Sequence, residues 1–465
     1  MAANIPFSKP PLIPFFLVAG CYLLWNPFLV QADGFRNPFQ SASAIGQGVA
    51  FIAQADDPSA IHYNPAGMTQ LAGVQHAIGV SFVSPSTTFR NAAGSRVKYK
   101  VSGGAVGLPP PGSFFLTMNM GDYDLGWFRN LSIGLGAESL FGFSTNTPKD
   151  SPLSNVVTKA QLPLLDIKPT MAFKINEYLS LGLGADIFTF ASFVGEGHAE
   201  QQSIALGNIP GTTAGETLEL NGSGTTAGMN ASLLLTPWHN AIGKPLVNFG
   251  FVWRSQAVLP LDGDLLANGR LVANASTTFK FPESYEWGLA AWPIRNREHE
   301  WKLEVDVHLV RWQTIRNFDV TLSNGVVISQ PQRWKNAVTI GAGTEFNWLK
   351  VSNMPNWEFA ARLGYIRSHS PIPDSNFNPS FPDSNNHTLS IGVGFSCAKQ
   401  ARFLGFIECG SPNTGFLVTK GLTIDLAFQT IIWEPRTVTD SPIPVVNGTY
   451  KTRTYAGAMT FQVNF

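Results

Sequence analysis

Eleven residues at the end of the chain constrain its fold more than any other stretch. Tyr455, Gly457, Met459, Phe461, Val463 and Phe465 alternate with Ala456, Ala458, Thr460, Gln462 and Asn464. A period of two is the signature of a strand with one apolar face and one small or polar face. A soluble fold must cover such an apolar face with a second layer. A transmembrane barrel turns it to lipid and closes its last strand on its first. The final aromatic, Phe465, therefore points to an outer-membrane barrel and to the barrel-assembly machinery as the partner that reads it.

The start of the chain agrees. Lys9 precedes an apolar stretch from Leu12 to Val30, and Val30-Gln31-Ala32 offers a small-x-small-like cleavage signal before Asp33. This pattern is expected of a secretory signal peptide over residues 1–32. A retained N-terminal membrane helix is one competing reading, since the apolar length nearly spans a bilayer. Lipoprotein processing at Val18-Ala19-Gly20-Cys21 is another, opposed by the apolar run that continues through Leu23, Leu24 and Trp25.

Charged residues make up 13% of the chain, with 34 Phe, 12 Trp and 44 Gly; soluble domains average ~25% charged. Mean hydropathy is nevertheless only +0.04. Both follow when half of each strand faces lipid and half a polar interior. The net charge is zero and there is no basic run, which argues against a nucleic-acid partner. Beyond the leader, Cys397 and Cys409 remain in a compartment where a disulfide persists. They are candidates for a bridge, with two unpaired thiols as the alternative.

Alternation recurs along the chain. Its cleanest instance sets Trp301, Leu303, Val305, Val307 and Leu309 against Lys302, Glu304, Asp306 and His308. A one-residue slip would turn those charges into lipid, so the register is strongly specified. Fourteen such segments are expected, near 74–90, 112–120, 130–143, 164–175, 179–198, 223–235, 246–262, 279–293, 300–322, 334–347, 357–368, 387–397, 419–434 and 451–465. Connections alternate short and long, as periplasmic turns and outer loops do. The Cys397–Cys409 segment is the exception, a long connection on the periplasmic side. The fold class read from this is all-β: an antiparallel 14-stranded transmembrane barrel over residues 73–465. A soluble sandwich or propeller is the rival.

Residues 33–72 do not alternate. Ala42 to Ile52 suits short helical turns, Asp56-Asp57-Pro58-Ser59-Ala60 carries capping chemistry, and Asn64-Pro65-Ala66-Gly67-Met68 reads as a tight turn. A segment this small must borrow a core. The lumen supplies one, and a hatch plugging the barrel is expected.

Several of these motifs, in order, resemble the long-chain fatty acid outer-membrane transporter family (FadL/TodX type), which includes toluene-type hydrocarbon uptake proteins. They are Asp33-Gly34-Phe35, Asp56-Asp57-Pro58-Ser59-Ala60, Asn64 to Met68, Phe141-Gly142-Phe143-Ser144-Thr145, Phe281 to Gly288, Trp301 to Trp312, Arg362 to Tyr365, Ser370 to Asp374, Pro382-Asp383-Ser384 and Leu389 to Gly392. The resemblance implies uptake of fatty acids or aromatic hydrocarbons through an external groove, an internal pocket and a lateral gap at a kinked third strand. By position, Phe35 would reach the pocket, Asn64, Pro65 and Ala66 would face the kink, and Gly142 would supply it. The family often has Arg in the sixth outer loop where this chain reads Asn376-Phe377-Asn378 and Asn385-Asn386-His387. That departure leans towards an uncharged substrate, although Arg311, Arg316, Arg333 and Arg367 could still meet a carboxylate.

Nothing in the chain reads as an enzyme. There is no G-x-S-x-G, no H-E-x-x-H, no P-loop and no Cys/His metal spacing, so neither a metal nor a cofactor is expected. The lumenal row Lys302, Glu304, Asp306 and His308 reads as structural rather than catalytic. The expected partners are hydrophobic small molecules and outer-membrane lipid, lipopolysaccharide included, around a monomer. An open diffusion porin and a structural or adhesive barrel are the alternative functions.

Overall fold

In a computed structural model, described over residues 34–99, 112–123, 126–190, 197–398, 401–403, 405, 407–410 and 419–465, fourteen antiparallel strands close a barrel. They are β1 (Val74–Asn91), β2 (Gly112–Asn119), β3 (Leu131–Glu138), β4 (Leu164–Lys174), β5 (Leu179–Phe190), β6 (Thr226–His239) and β7 (Pro245–Arg254). Then follow β8 (Ser284–Arg295), β9 (His299–Val310), β10 (Ala337–Trp348), β11 (Trp357–Ser368), β12 (Asn386–Ala398), β13 (Gly421–Trp433) and β14 (Gly448–Asn464). Each pairs with its chain neighbour. β1 also pairs with β14 from Gln75↔Asn464 to Asn91↔Gly448, which abolishes the sheet's edges. The expected leader, residues 1–32, lies outside the described residues.

Register follows the alternation. On β9, Trp301, Leu303 and Val305 are exposed while Lys302, Glu304, Asp306 and His308 are buried in the lumen. Among the described residues no helix is long and apolar enough to cross a membrane; this barrel crosses with strands.

Several strands are shorter than their sequence patterns because the alternation continues into a second sheet. Eight strands (144–146, 159–161, 199–204, 217–222, 257–267, 270–281, 320–322 and 327–328) form it from the long loops. The expected strand 246–262 thus divides into β7 and an outer strand at Ser255-Gln256. The expected strand 279–293 divides at Pro282, which has no N–H to give a ladder. The stretch left between those two expected strands is mostly a hairpin whose turn, Asn268-Gly269, has φ of +48° and +79°. Two positive φ values in succession are what a tight two-residue turn needs.

Residues 34–72 lie inside the barrel. They form α1 (Ala42–Gly46), α2 (Ala60–Tyr63) and a 3₁₀ turn, Pro65–Gln70. The charged row on β9 fixes them in place. Asp306 Oδ2 accepts from the backbone N–H groups of Phe51 (2.8 Å) and Ile52 (3.0 Å), and Glu304 Oε1 from Ala53 (2.7 Å). Lys302 Nζ donates to Ala50 O at 3.0 Å and pairs with Glu304 at 2.8 Å. Those wall charges thus satisfy hatch backbone that is buried away from water. Inward-facing glycines let the two backbones touch: a Cβ on Gly364 would lie 2.0 Å from Gly48 N, and one on Gly343 2.1 Å from Gln47 O.

At the turn end opposite the outer sheet, Cys397 and Cys409 are joined by a disulfide, their Cα atoms 5.6 Å apart. Both are buried, with Leu422 and Val463, under Trp357, Phe403, Phe461 and Phe465.

Candidate functional site

β3 leaves the wall after Glu138. Its last pairs are Ala137↔Phe114 on β2 and Glu138↔Asp166 on β4, whereas β4 continues to pair with β5 as far as Leu164↔Phe190. Contact with the neighbouring chain resumes only above, where Leu162 N donates to Phe143 O at 2.9 Å. Between these points Ser139–Gly142 turns inward and bonds to the beginning of the hatch. Arg36 bridges Phe141. Asn37 N donates to Leu140 O (2.6 Å) and Gly142 N to Phe35 O (2.9 Å). The Ser139 carbonyl accepts from Asn37 Nδ2 (3.1 Å) and Gln40 Nε2 (2.9 Å). On the other side of the break, Ser113 Oγ of β2 donates to Gln40 O at 2.7 Å. Gln40 thus connects the two strands where their ladder stops.

The residue before Arg36 fills a pocket. Phe35 is 1% exposed and meets Phe141, Phe143, Phe279, Phe281, Trp312, Trp334 and Phe381. Its ring centroid lies from 4.9 Å (Trp312) to 6.4 Å (Phe281 and Phe381) from theirs. Most of these contacts are edge-to-face, which suits the aromatic quadrupole. Gly34 makes the approach possible: its φ is +69°, and a Cβ there would lie 2.8 Å from the Trp312 ring. Phe143, Phe279 and Phe381 also border a cavity of about 70 Å³ beneath the outer sheet. The outer cavity and the Phe35 pocket therefore share walls.

Below the pocket runs a buried belt of charge. Arg36 pairs with Glu286, and Arg254 lies near both Glu286 (3.9 Å) and Asp186 (3.3 Å). Lys168 pairs with Asp186, Asp166 (2.8 Å) and Glu138 (3.4 Å). Glu138, the last residue of β3, is 2.7 Å from His62 Nδ1 of α2. The belt joins the hatch to β3, β4, β5, β7 and β8, so each buried charge has a partner, as a water-poor lumen requires.

The five residues singled out by sequence do not all meet here. Phe35 and Gly142 do, through the backbone bond above. The excursion starts at Ser139, three residues before the expected glycine, because Ala137 is the last residue with wall partners on both sides and Glu138 keeps only Asp166 of β4. Asn64, Pro65 and Ala66 are placed elsewhere. Asn64 caps the 3₁₀ turn, and its Nδ2 donates to Ile52 O (2.8 Å) and Leu233 O (3.1 Å). Ala66 N donates to Ser232 Oγ at 3.0 Å, and a Cβ on Gly182 would lie 2.7 Å from Pro65 Cβ. These three residues thus sit against β5 and β6, while the expected position at the kink is held by Arg36, Asn37 and Gln40. Sequence reasoning missed those three. Their signal was faint: polar side chains, interrupted by Pro38 and Phe39, between Phe35 and α1, too close to a buried aromatic to be solvated.

A closed barrel with a lumenal plug, a displaced wall strand and an aromatic pocket defines a plugged outer-membrane β-barrel. The chain belongs to the family of outer membrane transport proteins described as OMPP1/FadL/TodX, whose pattern it matches over residues 27–403. A protein of Neisseria meningitidis serogroup B, named as an outer membrane protein, is 33% identical over 130 residues; the match covers 27% of this chain and only 26% of that relative. A Pseudomonas aeruginosa FadL homologue superposes with a TM-score of 0.69 at 16% identity, over 93% of this chain and all of its own. The Ralstonia pickettii toluene transporter TbuX gives 0.58 at 15% identity over 91% and 98%, and the Pseudomonas putida toluene transporter TodX 0.55 at 15% over 88% and 94%.

Proposed function

We propose that this protein takes up uncharged hydrophobic molecules of aromatic-hydrocarbon type, holds them in the Phe35 pocket and releases them sideways into the outer membrane where β3 leaves the wall. One observation carries the reading: a single segment, Phe35–Gln40, both fills the aromatic pocket and supplies the bonds that the displaced strand has lost. Withdrawing that segment would empty the pocket and unfasten the gap together. A hydrocarbon sent straight down would have to pass the hatch and enter periplasmic water, at a cost of ~0.8 kcal/mol per CH₂. The lateral route delivers it to the bilayer without that crossing.

The lining supports a neutral substrate. All seven rings around Phe35 are Phe or Trp, and Arg36, next to Phe35 in the chain, is committed to Glu286. A long-chain fatty acid would need a free cation for its carboxylate. Asn64-Pro65-Ala66, packed on β5 and β6, would act by holding the hatch against the wall rather than by guarding the gap. The lumen is occupied by hatch backbone bound to Asp306 and Glu304, which opposes an open diffusion pore. Proteoliposomes test the reading: uptake of labelled toluene without ion conductance is expected. Ion conductance without hydrocarbon uptake would favour the porin, and uptake of palmitate alone would favour the fatty-acid alternative.

A further inference from the structure

A cluster of cations stands on the outward face of the barrel at the seam where the sheet closes. Along β14, Met459 and Tyr455 are 45% and 48% exposed; Arg453 and Lys451, also exposed, follow on the same face. β1 shows the same progression, from exposed Phe82 through Ser84, Ser86 and Thr88 to exposed Arg90. Apolar residues, then an aromatic or hydroxyl, then cations mark the passage from hydrocarbon to headgroup level. The passage is at the outer end, since β14 and β1 meet the long loops there through Gly448 and Asn91.

Register gathers the cations. A short strand, Arg96–Tyr99, pairs with β1 so that Arg96 lies opposite Arg90 and Lys98 opposite Thr88. On the other side Thr88 is opposite Lys451, and Ser86 opposite Arg453. Directly opposed residues share a face. Their inward neighbours confirm which face it is: Phe89, Val97 and Tyr450 are buried together in one apolar cluster. With strands ~4.8 Å apart and ~3.4 Å per residue, Arg90, Arg96, Lys98, Lys451 and Arg453 occupy roughly 10 by 14 Å.

Among the described residues no carboxylate pairs with these charges; Glu434, beside Lys451 in register, is held by Arg367. Residues 74–99 and 448–465 contain no Asp or Glu, and among the described residues none of the five makes an ion pair with a carboxylate. The contrast with the next strands round is informative. There Arg367 is held by Glu434 at 2.7 Å and His387 lies 2.7 Å from Arg367, so that part of the rim is internally balanced. Five like charges held by register would repel one another, and they persist where an anion is at hand.

We propose that this seam binds the phosphorylated headgroup of lipopolysaccharide, with the five cations meeting the glucosamine phosphates and the band of Phe82, Tyr455 and Met459 meeting the acyl chains. The spacing suits a headgroup with two phosphates: Lys98 and Lys451 flank Thr88, and Arg90 and Arg453 stand above and below. The bound lipid also covers the seam at which β1 and β14 close the barrel.

The test is native mass spectrometry of the detergent-purified full-length protein. It is titrated with bis-phosphorylated lipid A, dephosphorylated lipid A, phosphatidylglycerol and inorganic phosphate. The variant carries Arg90→Gln, Arg96→Gln, Lys98→Gln, Lys451→Gln and Arg453→Gln; all five side chains are exposed, and heat-modifiable migration reports that the barrel has formed. A second variant, Lys174→Gln, removes an exposed cation at the opposite end of β4 and controls for general charge. Bis-phosphorylated lipid A should bind the quintuple variant about ten-fold more weakly than wild type, with the lysine variant unchanged, because exposed charge-assisted contacts add up across a cluster. Dephosphorylated lipid A and phosphatidylglycerol should bind wild type as weakly as the variant. Equal binding of bis-phosphorylated lipid A by wild type and quintuple variant would overturn the proposal, as would equal binding of the dephosphorylated lipid. Inorganic phosphate bound by wild type as tightly as the lipid would overturn it too. If the quintuple variant forms no barrel, Lys451→Gln with Arg453→Gln alone is used and a weaker loss is expected; no loss would overturn the proposal.

Discussion

Arg36 and Glu286 form an ion pair inside the barrel, each side chain only 3% exposed, joining the start of the hatch to β8. Arg36 follows the phenylalanine that fills the aromatic pocket, and its backbone bridges Phe141 in the segment that has left the wall. One side chain therefore holds the two features on which uptake would depend.

Arg36→Ala should loosen that segment without unfolding the barrel. Breaking a buried pair costs ~3–5 kcal/mol when the partner is left alone. Here Glu286 keeps Arg254 and His308 within 3.9 Å and 3.7 Å, so a loss of about 2 kcal/mol is expected. It should appear as local opening, with amide exchange at Asn37 and Gly142 about thirty-fold faster and exchange at Leu303 and Val305 unchanged. Unchanged exchange at Asn37 and Gly142 would show that the pair does not fasten the segment.

Phe35→Ala should turn an occupied pocket into a vacant one. The native ring competes with any aromatic ligand for the site lined by Trp312 and Trp334. Removing an internal competitor raises apparent affinity by the reciprocal of the competent fraction, about ten-fold for a pocket open a tenth of the time. Toluene titration in detergent, read by tryptophan fluorescence, measures it. Equal affinity in mutant and wild type would mean that Phe35 is not in the ligand's place.

Gly364→Val should expel part of the hatch. Even a Cβ at this position would lie 2.0 Å from Gly48 N, and the obstacle is backbone on both sides. The strand itself accommodates valine readily, so the barrel should assemble while the plug is displaced. Planar-bilayer recordings should then show ion conductance that the wild type lacks. A variant as tight to ions as the wild type would show that the lumen is blocked by something other than Gln47 and Gly48.

Peptide mapping without reductant should recover Cys397 and Cys409 as one linked pair. Closing a loop over their separation of 12 residues contributes about 3 kcal/mol in the chain-entropy picture. Cys409→Ser should therefore lower the thermal midpoint of the turn region, where both cysteines pack beside Leu422 and Val463. Two freely alkylatable thiols in the native protein would refute the bridge.

Sequence alternation revealed the barrel because lipid on one side and a polar lumen on the other impose it on every strand. The outer sheet was less legible. Alternation runs unbroken from β7 through Leu259 and Leu261, and nothing in a period of two says where hydrocarbon ends; Asn268-Gly269 was the overlooked hairpin signal. The hatch was legible by its lack of alternation, yet not its fastenings. Glu304 and Asp306 are ordinary lumenal charges until the backbone of Phe51 and Ala53 arrives to meet them. The position of Asn64 beside β6 depended on how the hatch sits in the barrel, which no local pattern specifies.

Lateral release past β3 is tested most directly by uptake through a Gly142→Val variant. Gly142 N donates to Phe35 O at 2.9 Å, at the inner limit of the excursion. A β-branched residue there favours extended backbone continuing the wall. The variant must first migrate as a folded barrel and bind toluene in detergent as the wild type does. Uptake of labelled toluene into proteoliposomes should then fall to the level of protein-free vesicles. Uptake at the wild-type rate by that folded, ligand-binding variant would contradict the lateral route.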